Sequence, residues 1–136
     1  MGIVFGDAYY PKLTFDPRSD IIKPMIVALT AGVNPLDNMI IKGEVKLIVP
    51  YKFPLVMGNE FCGIIEKTGA NVKGFAVGDR VYARMPLAKI GAFAEYTAID
   101  YRAIAKVPEY LSDEEAAAVP LTALTALQSY ELIVIL

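Results

Sequence analysis

The chain of 136 residues contains no histidine and a single cysteine, Cys62. Zn²⁺ in proteins is held chiefly by thiolate and imidazole ligands, so this composition argues against both a catalytic and a structural zinc site. One cysteine cannot form an intrachain disulfide, and it gives no reason to place the chain in an oxidising compartment. The sequence therefore predicts a protein without zinc and without disulfides.

Three other kinds of segment are missing. Lysine and arginine number 13 against 15 acidic residues and form no basic cluster, which argues against nucleic acid as a partner. No apolar run approaches the ~18 residues of a membrane span, and residues 1–20 lack the basic and apolar regions of a secretory signal. We therefore expect no membrane partner and a cytoplasmic location.

A glycine-rich phosphate-binding turn is also absent. Dinucleotides are usually held by a G-x-G-x-x-G turn between a strand and a helix, where free backbone amides contact the pyrophosphate. Neither this pattern nor a close variant occurs in the 136 residues. We therefore expect these residues alone to bind no dinucleotide.

The residues that are present predict one mainly β domain with a helical end. Hydrophobic residues make up 55% of the chain, above the ~45–50% of typical soluble domains, so we expect a face that needs a partner. Short strands are predicted near 2–5, 25–30, 61–66, 80–83, 91–99 and 103–107. A short helix at 36–41 should begin after Pro35 and end at Gly43, and 45–53 should be a loop.

The helical period appears only after residue 111. Ser112 and Glu115 form a capping box, which opens a short alanine-rich helical turn. Pro120 then begins a second helix, predicted to run through Tyr130. Many short strands followed by a helical pair are typical of a partly open β-barrel with appended helices.

The segment 57–83 resembles a known family. It contains Gly58-Asn59-Glu60 followed by Gly63, and then Val77-Gly-Asp-Arg-Val81. This order resembles the GroES-like catalytic domain of the medium-chain dehydrogenase/reductase superfamily, in its zinc-free quinone oxidoreductase branch. The resemblance implies a mainly β, GroES-like partly open barrel over 1–118. It further implies that 119–136 begins the connection to a Rossmann domain missing from this chain.

The resemblance also implies a reaction and site residues. Zinc-free relatives move a hydride from NADPH or NADH to a quinone, an enone or another carbonyl compound. Asn34, in the Val-Asn-x-x-Asp motif, stands where zinc-dependent relatives carry a ligand cysteine, and its amide could polarise the acceptor carbonyl. Asparagine also caps helices well, and the two roles are compatible. Asp37 of the same motif is interpreted as a solvated acid of the first helical turn.

Tyr51 resembles a tyrosine of the loop that lines the substrate cleft in relatives, where a phenol could donate to a developing enolate. Lone loop tyrosines are nevertheless common. Glu60 is interpreted as structural, accepting hydrogen bonds from backbone or from the Asn34 side. Thr125, with Thr122 one turn earlier, matches the helix that contacts the nicotinamide side of the cofactor in relatives. Such threonines also commonly bond back to their own helix.

Two functions follow as hypotheses. The first is the catalytic domain of an NAD(P)H-dependent oxidoreductase, a homo-oligomer when intact, with this part inactive and without bound cofactor by itself. The second is a free-standing GroES-like module for binding or oligomerisation. Because both use the same fold, a test of cofactor binding separates them better than the sequence does.

Overall fold

The computed structural model describes residues 22–135, and within them five strands form one open antiparallel sheet in the order β4-β1-β2-β3-β5. The strands are β1 (Met25–Gly32), β2 (Glu60–Lys67), β3 (Arg80–Arg84), β4 (Tyr96–Ala98) and β5 (Ile104–Lys106). The helices are α1 (Pro35–Lys42), α2 (Asp113–Ala117) and α3 (Pro120–Ile135), with a 3₁₀ turn at Tyr101–Ala103. The predicted mainly β architecture with a few helices is confirmed.

The centre of the sheet is the pairing of β1 with β2, which brings Ile26 opposite Ile65 and Ala28 opposite Gly63. A Cβ atom at Gly63 would lie 2.3 Å from the carbonyl oxygen of Val27, so this close approach requires glycine. The main hydrophobic core lies on one side of these strands. Its buried members are Ile26, Phe61, Ile65, Val81, Ala83, Met85, Ala92, Ile99 and Ile104.

The helix boundaries follow local sequence signals. Helix α1 begins at Pro35 and ends at Gly43, whose φ of 76° is the left-handed conformation that glycine adopts without strain. At α2 the Glu115 N–H donates to Ser112 Oγ at 3.1 Å, and the Ser112 N–H donates to Glu115 Oε2 at 2.9 Å. The predicted capping box is confirmed. Helix α3 begins at Pro120 as predicted but continues past Tyr130 to Ile135.

The strand predicted at 91–99 is wrong in extent, because only Tyr96–Ala98 pairs as a strand. Gly91 has a φ of 146°, and the N–H groups of Gly91 and Ala92 both donate to the carbonyl of Gly58. This irregular contact replaces a regular ladder in the first half of the segment. The strand predicted near 2–5 lies outside the described residues.

Between residues 22 and 135 there is no helix with the length and apolar character needed to cross a lipid bilayer. The segment 45–53, predicted as a loop, forms turns without a strand or an α-helix. It follows α1 directly and returns the chain to Asn59 and Glu60, beside the start of α1. The candidate site is built at this return point.

A candidate active-site cleft between α1 and α3

A cleft of about 520 Å³ lies between the start of α1, the end of β3 and the first turns of α3. Its lining residues are Asn34, Pro35, Leu36, Arg84, Leu121, Thr122, Thr125 and Ala126. Three of the four residues predicted as catalytic or cofactor-binding, Asn34, Thr122 and Thr125, thus line the same cleft although the two segments lie far apart in sequence.

Asn34 joins β1 to α1 in an extended conformation, with φ of −125° and ψ of 159°, at the N-cap position. Its backbone N–H donates to Asp37 Oδ2 at 2.8 Å, and its side-chain Nδ2 donates to Glu60 Oε1 at 2.7 Å. An amide nitrogen carries two N–H groups, so one N–H and the amide oxygen remain for a ligand. Asn34 therefore occupies the cap position while its side chain is oriented by Glu60.

Glu60 links the two sides of the cleft. The side chain is buried, with Oε1 accepting from Asn34 and Oε2 accepting from the Leu121 N–H at 2.7 Å. Leu121 lies in the first turn of α3, where free N–H groups and the helix dipole favour a carboxylate. A Cβ atom at Gly32 would lie 2.4 Å from Glu60 Oε1, so glycine there makes room for the carboxylate. The structural role predicted for Glu60 is confirmed.

The prediction for Asp37 is wrong, because this carboxylate is buried and not solvated. Asp37 Oδ2 accepts from the Asn34 N–H, and Oδ1 accepts from Nδ2 of the buried Asn59 at 2.8 Å. An acidic residue in the first turn of a helix is exposed only if nothing packs over it. Here the turn at residues 58–60 packs over Asp37 and buries it. The two carboxylates of Asp37 and Glu60 thus hold Asn34 at its backbone and at its side chain.

Thr122 and Thr125 lie one turn apart on the face of α3 that borders the cleft. Neither hydroxyl hydrogen-bonds another residue of the described part of the chain; the carbonyl of Thr125 accepts from the Ser129 hydroxyl at 2.8 Å. In this part of α3, Ser129 bonds back to a carbonyl of its own helix, whereas the hydroxyls of Thr122 and Thr125 do not. Both threonine hydroxyls remain available to a ligand.

Tyr51 is not brought into the cleft. Its hydroxyl donates to the carbonyl of Leu87, and its ring packs on the second hydrophobic cluster, which contains Ile40, Val45, Met57 and Ile90. Partial burial raises the pKa of the Tyr51 phenol, and the positive charge of Arg84 opposes this shift. The charge of Arg84 therefore acts on Tyr51, but the Tyr51 hydroxyl donates its hydrogen bond to Leu87, which does not line the cleft.

The donor set around Asn34 does not fit zinc, since Asn34 and Asn59 present amides where imidazole or thiolate would be needed. Between residues 22 and 135, no group of three or more histidine, cysteine, aspartate or glutamate side chains could hold a metal ion. Cys62 lies in another cluster, with its sulfur 3.7 Å from Asp113 Oδ1. Burial, with Asp113 next in importance, raises the pKa of its thiol to about 11, which disfavours thiolate.

Sequence reasoning missed Arg84, the charged member of the cleft. The alternation of Arg80, Tyr82 and Arg84 with the buried Val81 and Ala83 indicates that Arg84 lies on the face of β3 away from the main core. Arg84 lies opposite Glu60 in the β2–β3 ladder. Only the tertiary structure shows that the end of β3 reaches the start of α3. Ala123 lines a separate cavity of about 490 Å³ on another side of α3.

Comparison with known proteins identifies the family. Residues 24–109 match the alcohol dehydrogenase GroES-like domain, and the chain belongs to this family. A quinone oxidoreductase homologue described as chloroplastic, from Spinacia oleracea, is 40% identical over 115 residues, covering 84% of this chain and 34% of the relative. A 2-methylene-furan-3-one reductase from Solanum lycopersicum is 35% identical over 122 residues, covering 85% of this chain and 31% of the relative.

A solved structure agrees with this assignment. The Escherichia coli quinone oxidoreductase complexed with NADPH superposes with a TM-score of 0.68 at 31% identity, covering 77% of this chain and 31% of that one. The predicted GroES-like fold and the resemblance to the quinone oxidoreductase branch are confirmed. The chain spans about a third of the length of the curated relatives it matches.

Proposed function

We propose that the chain forms the substrate-facing wall of an NAD(P)H-dependent, zinc-free oxidoreductase that reduces quinones or enones. The observation that carries this proposal is the meeting of Asn34, Thr122 and Thr125 at one cleft, with the Asn34 amide held by Glu60. The spinach and tomato relatives, one a quinone oxidoreductase homologue and the other a reductase, support this substrate class.

Asn34 is the residue that would stabilise developing charge on the acceptor oxygen. Because Asp37 fixes its backbone and Glu60 fixes one amide N–H, the second N–H has a restricted direction. A donor positioned before the reaction loses little reorganisation energy when charge develops. Asparagine also does not titrate, so this donor would act over a wide pH range. Tyr51 is a weaker candidate, since its proton is directed to Leu87.

In this proposal the cleft takes the nicotinamide end of a dinucleotide, while the glycine-rich turn that usually holds the pyrophosphate is absent from the 136 residues. When bound, the reduced nicotinamide supplies the hydride, and the Thr122 and Thr125 hydroxyls would orient it beside Asn34. The chain has no glycine-rich phosphate turn, so we assign 1–118 to the catalytic domain and 119–136 to its connection with a Rossmann domain. Homo-oligomerisation and a cytoplasmic location stay predictions. The spinach relative is described as chloroplastic, so the comparisons do not support one location over the other.

Cofactor titration tests the division of labour between the domains. We expect the 136-residue chain to show no saturable change in NADPH fluorescence and no turnover of quinones or enones. The same residues joined to a nucleotide-binding domain of a matching relative should regain both properties. Tight NADPH binding by the chain alone would contradict this assignment. Failure of the joined protein to reduce any quinone or enone would favour the non-catalytic module.

Replacing Asn34 by alanine in the joined, active protein tests its proposed role. Loss of an oxyanion donor should lower kcat by ~10–1000-fold, whereas Asn38→Ala, on the exposed side of the same helix, should leave kcat within about twofold. Steady-state kinetics with a quinone measures both variants. Equal kcat values for the two variants would leave Asn34 as a helix cap only.

A further inference from the structure

We propose that the cleft binds an anionic group, a carboxylate or a phosphate, through Arg84. Arg84 is half-buried at the end of β3 and lines both the cleft and the separate cavity at the start of α3. Among the described residues lining the cleft it is the one charged side chain; the carboxylate of Glu60 lies behind the lining residues Asn34 and Leu121 and is hydrogen-bonded to both.

Arg84 differs from the arginines nearest to it in having no counter-ion within the described chain. Arg80 pairs with Asp113, and Arg102 pairs with Asp100, both at 2.6 Å. The carboxylate opposite Arg84 in the sheet is Glu60, whose oxygens accept from Asn34 and Leu121 and form no ion pair with Arg84. A half-buried guanidinium loses part of its hydration, and between residues 22 and 135 no acceptor replaces it for Arg84.

The rest of the lining suits a ligand with one anionic end and an apolar body. Asn34, Thr122 and Thr125 add donors beside the guanidinium, whose fork of N–H groups matches two oxygens of a carboxylate or phosphate. Four apolar residues complete the surface: Pro35, Leu36, Leu121 and Ala126. The anion could belong to a small unsaturated acid or to a nucleotide phosphate.

Equilibrium binding tests this inference without requiring catalysis, so its failure and the failure of the proposed reaction are distinguishable. The ¹⁵N-labelled 136-residue chain is titrated with trans-cinnamate against neutral cinnamamide, and with nicotinamide mononucleotide against nicotinamide riboside. Amide shifts of Arg84, Thr122 and Thr125 are followed at low salt. At least one anion should bind roughly tenfold or more tightly than its matched neutral compound.

Substitution then assigns the effect to the guanidinium. Arg84→Gln should remove the preference for the anion, and Arg84→Lys should keep part of it. Lys73→Gln, which removes an equal charge from an exposed residue outside both cavities, should keep the preference within about twofold. The anion that binds more tightly identifies the source. Absence of saturable binding by both anions, equal affinity for charged and neutral probes, or full retention in Arg84→Gln would overturn the proposal. The comparison of probes on the unmodified chain holds even if Arg84→Gln does not fold.

Discussion

Residues 112–121 and residues 124–133 follow one another along the chain but lie in opposite environments. The first segment, here called the anchored segment, is tied to the sheet by Asp113, which accepts from Arg80, by the buried Ala116 and Ala117, and by the Leu121–Glu60 bond. The second, here called the exposed segment, leaves large apolar side chains in water. These are Leu124, Leu127, Tyr130, Leu132 and Ile133.

The difference between the two segments indicates which contacts stabilise α3. Every buried polar side-chain atom of the described residues has a hydrogen-bond partner, and for Glu60 Oε2 that partner is the Leu121 N–H of the anchored segment. The exposed segment makes no comparable hydrogen bonds to the sheet residues that the structure describes, and Leu132 and Ile133 are 66% and 72% exposed. Apolar surface of this kind is usually covered by a partner or another domain. Substitutions in the two segments should therefore differ in their cost.

The largest effect is expected at Glu60. In Glu60→Gln one of the two acceptors becomes a donor, so either Asn34 Nδ2 or the Leu121 N–H loses its buried partner. The free energy of unfolding should fall by about 2 to 3 kcal/mol. Urea denaturation followed by circular dichroism measures it. Glu66→Gln, exposed on the same strand, should cost less than ~0.5 kcal/mol, and equal losses would show that the bridge does not stabilise α3.

A smaller effect is expected at the α2 cap. Ser112→Ala removes the oxygen that accepts from the Glu115 N–H and should cost about 1 kcal/mol. The matched change in the exposed segment, Ser129→Ala, removes a back-bond to Thr125 and should be neutral or slightly stabilising. The same denaturation experiment compares them. A larger loss from Ser129→Ala would reverse the assigned difference between the segments.

Cys62 packs on the anchored segment, and its thiol should make the free energy of unfolding depend on pH in the alkaline range. The thiol pKa is about 11 when folded and ~8.5 when unfolded, so the folded state favours the protonated form. The stabilisation is complete below pH ~8.5 and is lost as pH rises toward 11. We expect the unfolding midpoint of the wild type to fall relative to that of Cys62→Ala over this range. Parallel curves for the two proteins would contradict the shift.

The smallest effect on folding is expected in the exposed segment. Leu132→Lys should change the free energy of unfolding by less than ~0.5 kcal/mol, because the side chain is already in water. If the exposed face drives association, the variant should sediment as a smaller species than the wild type at equal concentration. Tyr110→Lys, exposed outside α3, serves as the control and should not change sedimentation. A large loss of stability in Leu132→Lys would mean that this end of α3 is packed.

Local signals predicted much of the fold. Pro35, Gly43, Ser112 and Pro120 marked helix boundaries correctly because caps and prolines act through bonds between residues near in sequence. The alternation of apolar and polar residues at 91–99 predicted too long a strand, since the N–H groups of Gly91 and Ala92 donate to Gly58 and not to a neighbouring strand. Such a contact joins segments more than 30 residues apart, and a local pattern carries no information about it.

The candidate site shows the same division. Asn34 and the two threonines could be selected from motifs, but the environment of Asp37 could not, because its burial depends on the packing of Asn59 above it. Tyr51 was selected by its resemblance to a tyrosine that lines the cleft in relatives, and the direction of its hydroxyl toward Leu87 depends on where the 86–90 segment lies. Arg84 matched no motif and is significant only because β3 ends beside α3.

The sequence by itself determined the family, the mainly β class and the helix starts, because these depend on residue types and on bonds between near neighbours. Tertiary structure alone decided that Glu60 joins Asn34 to α3, that Asp37 is buried and that Arg84 faces the cleft. Each of these depends on the distance between segments brought together by sheet pairing and packing, and hydrogen bonds and charges act only at such short range.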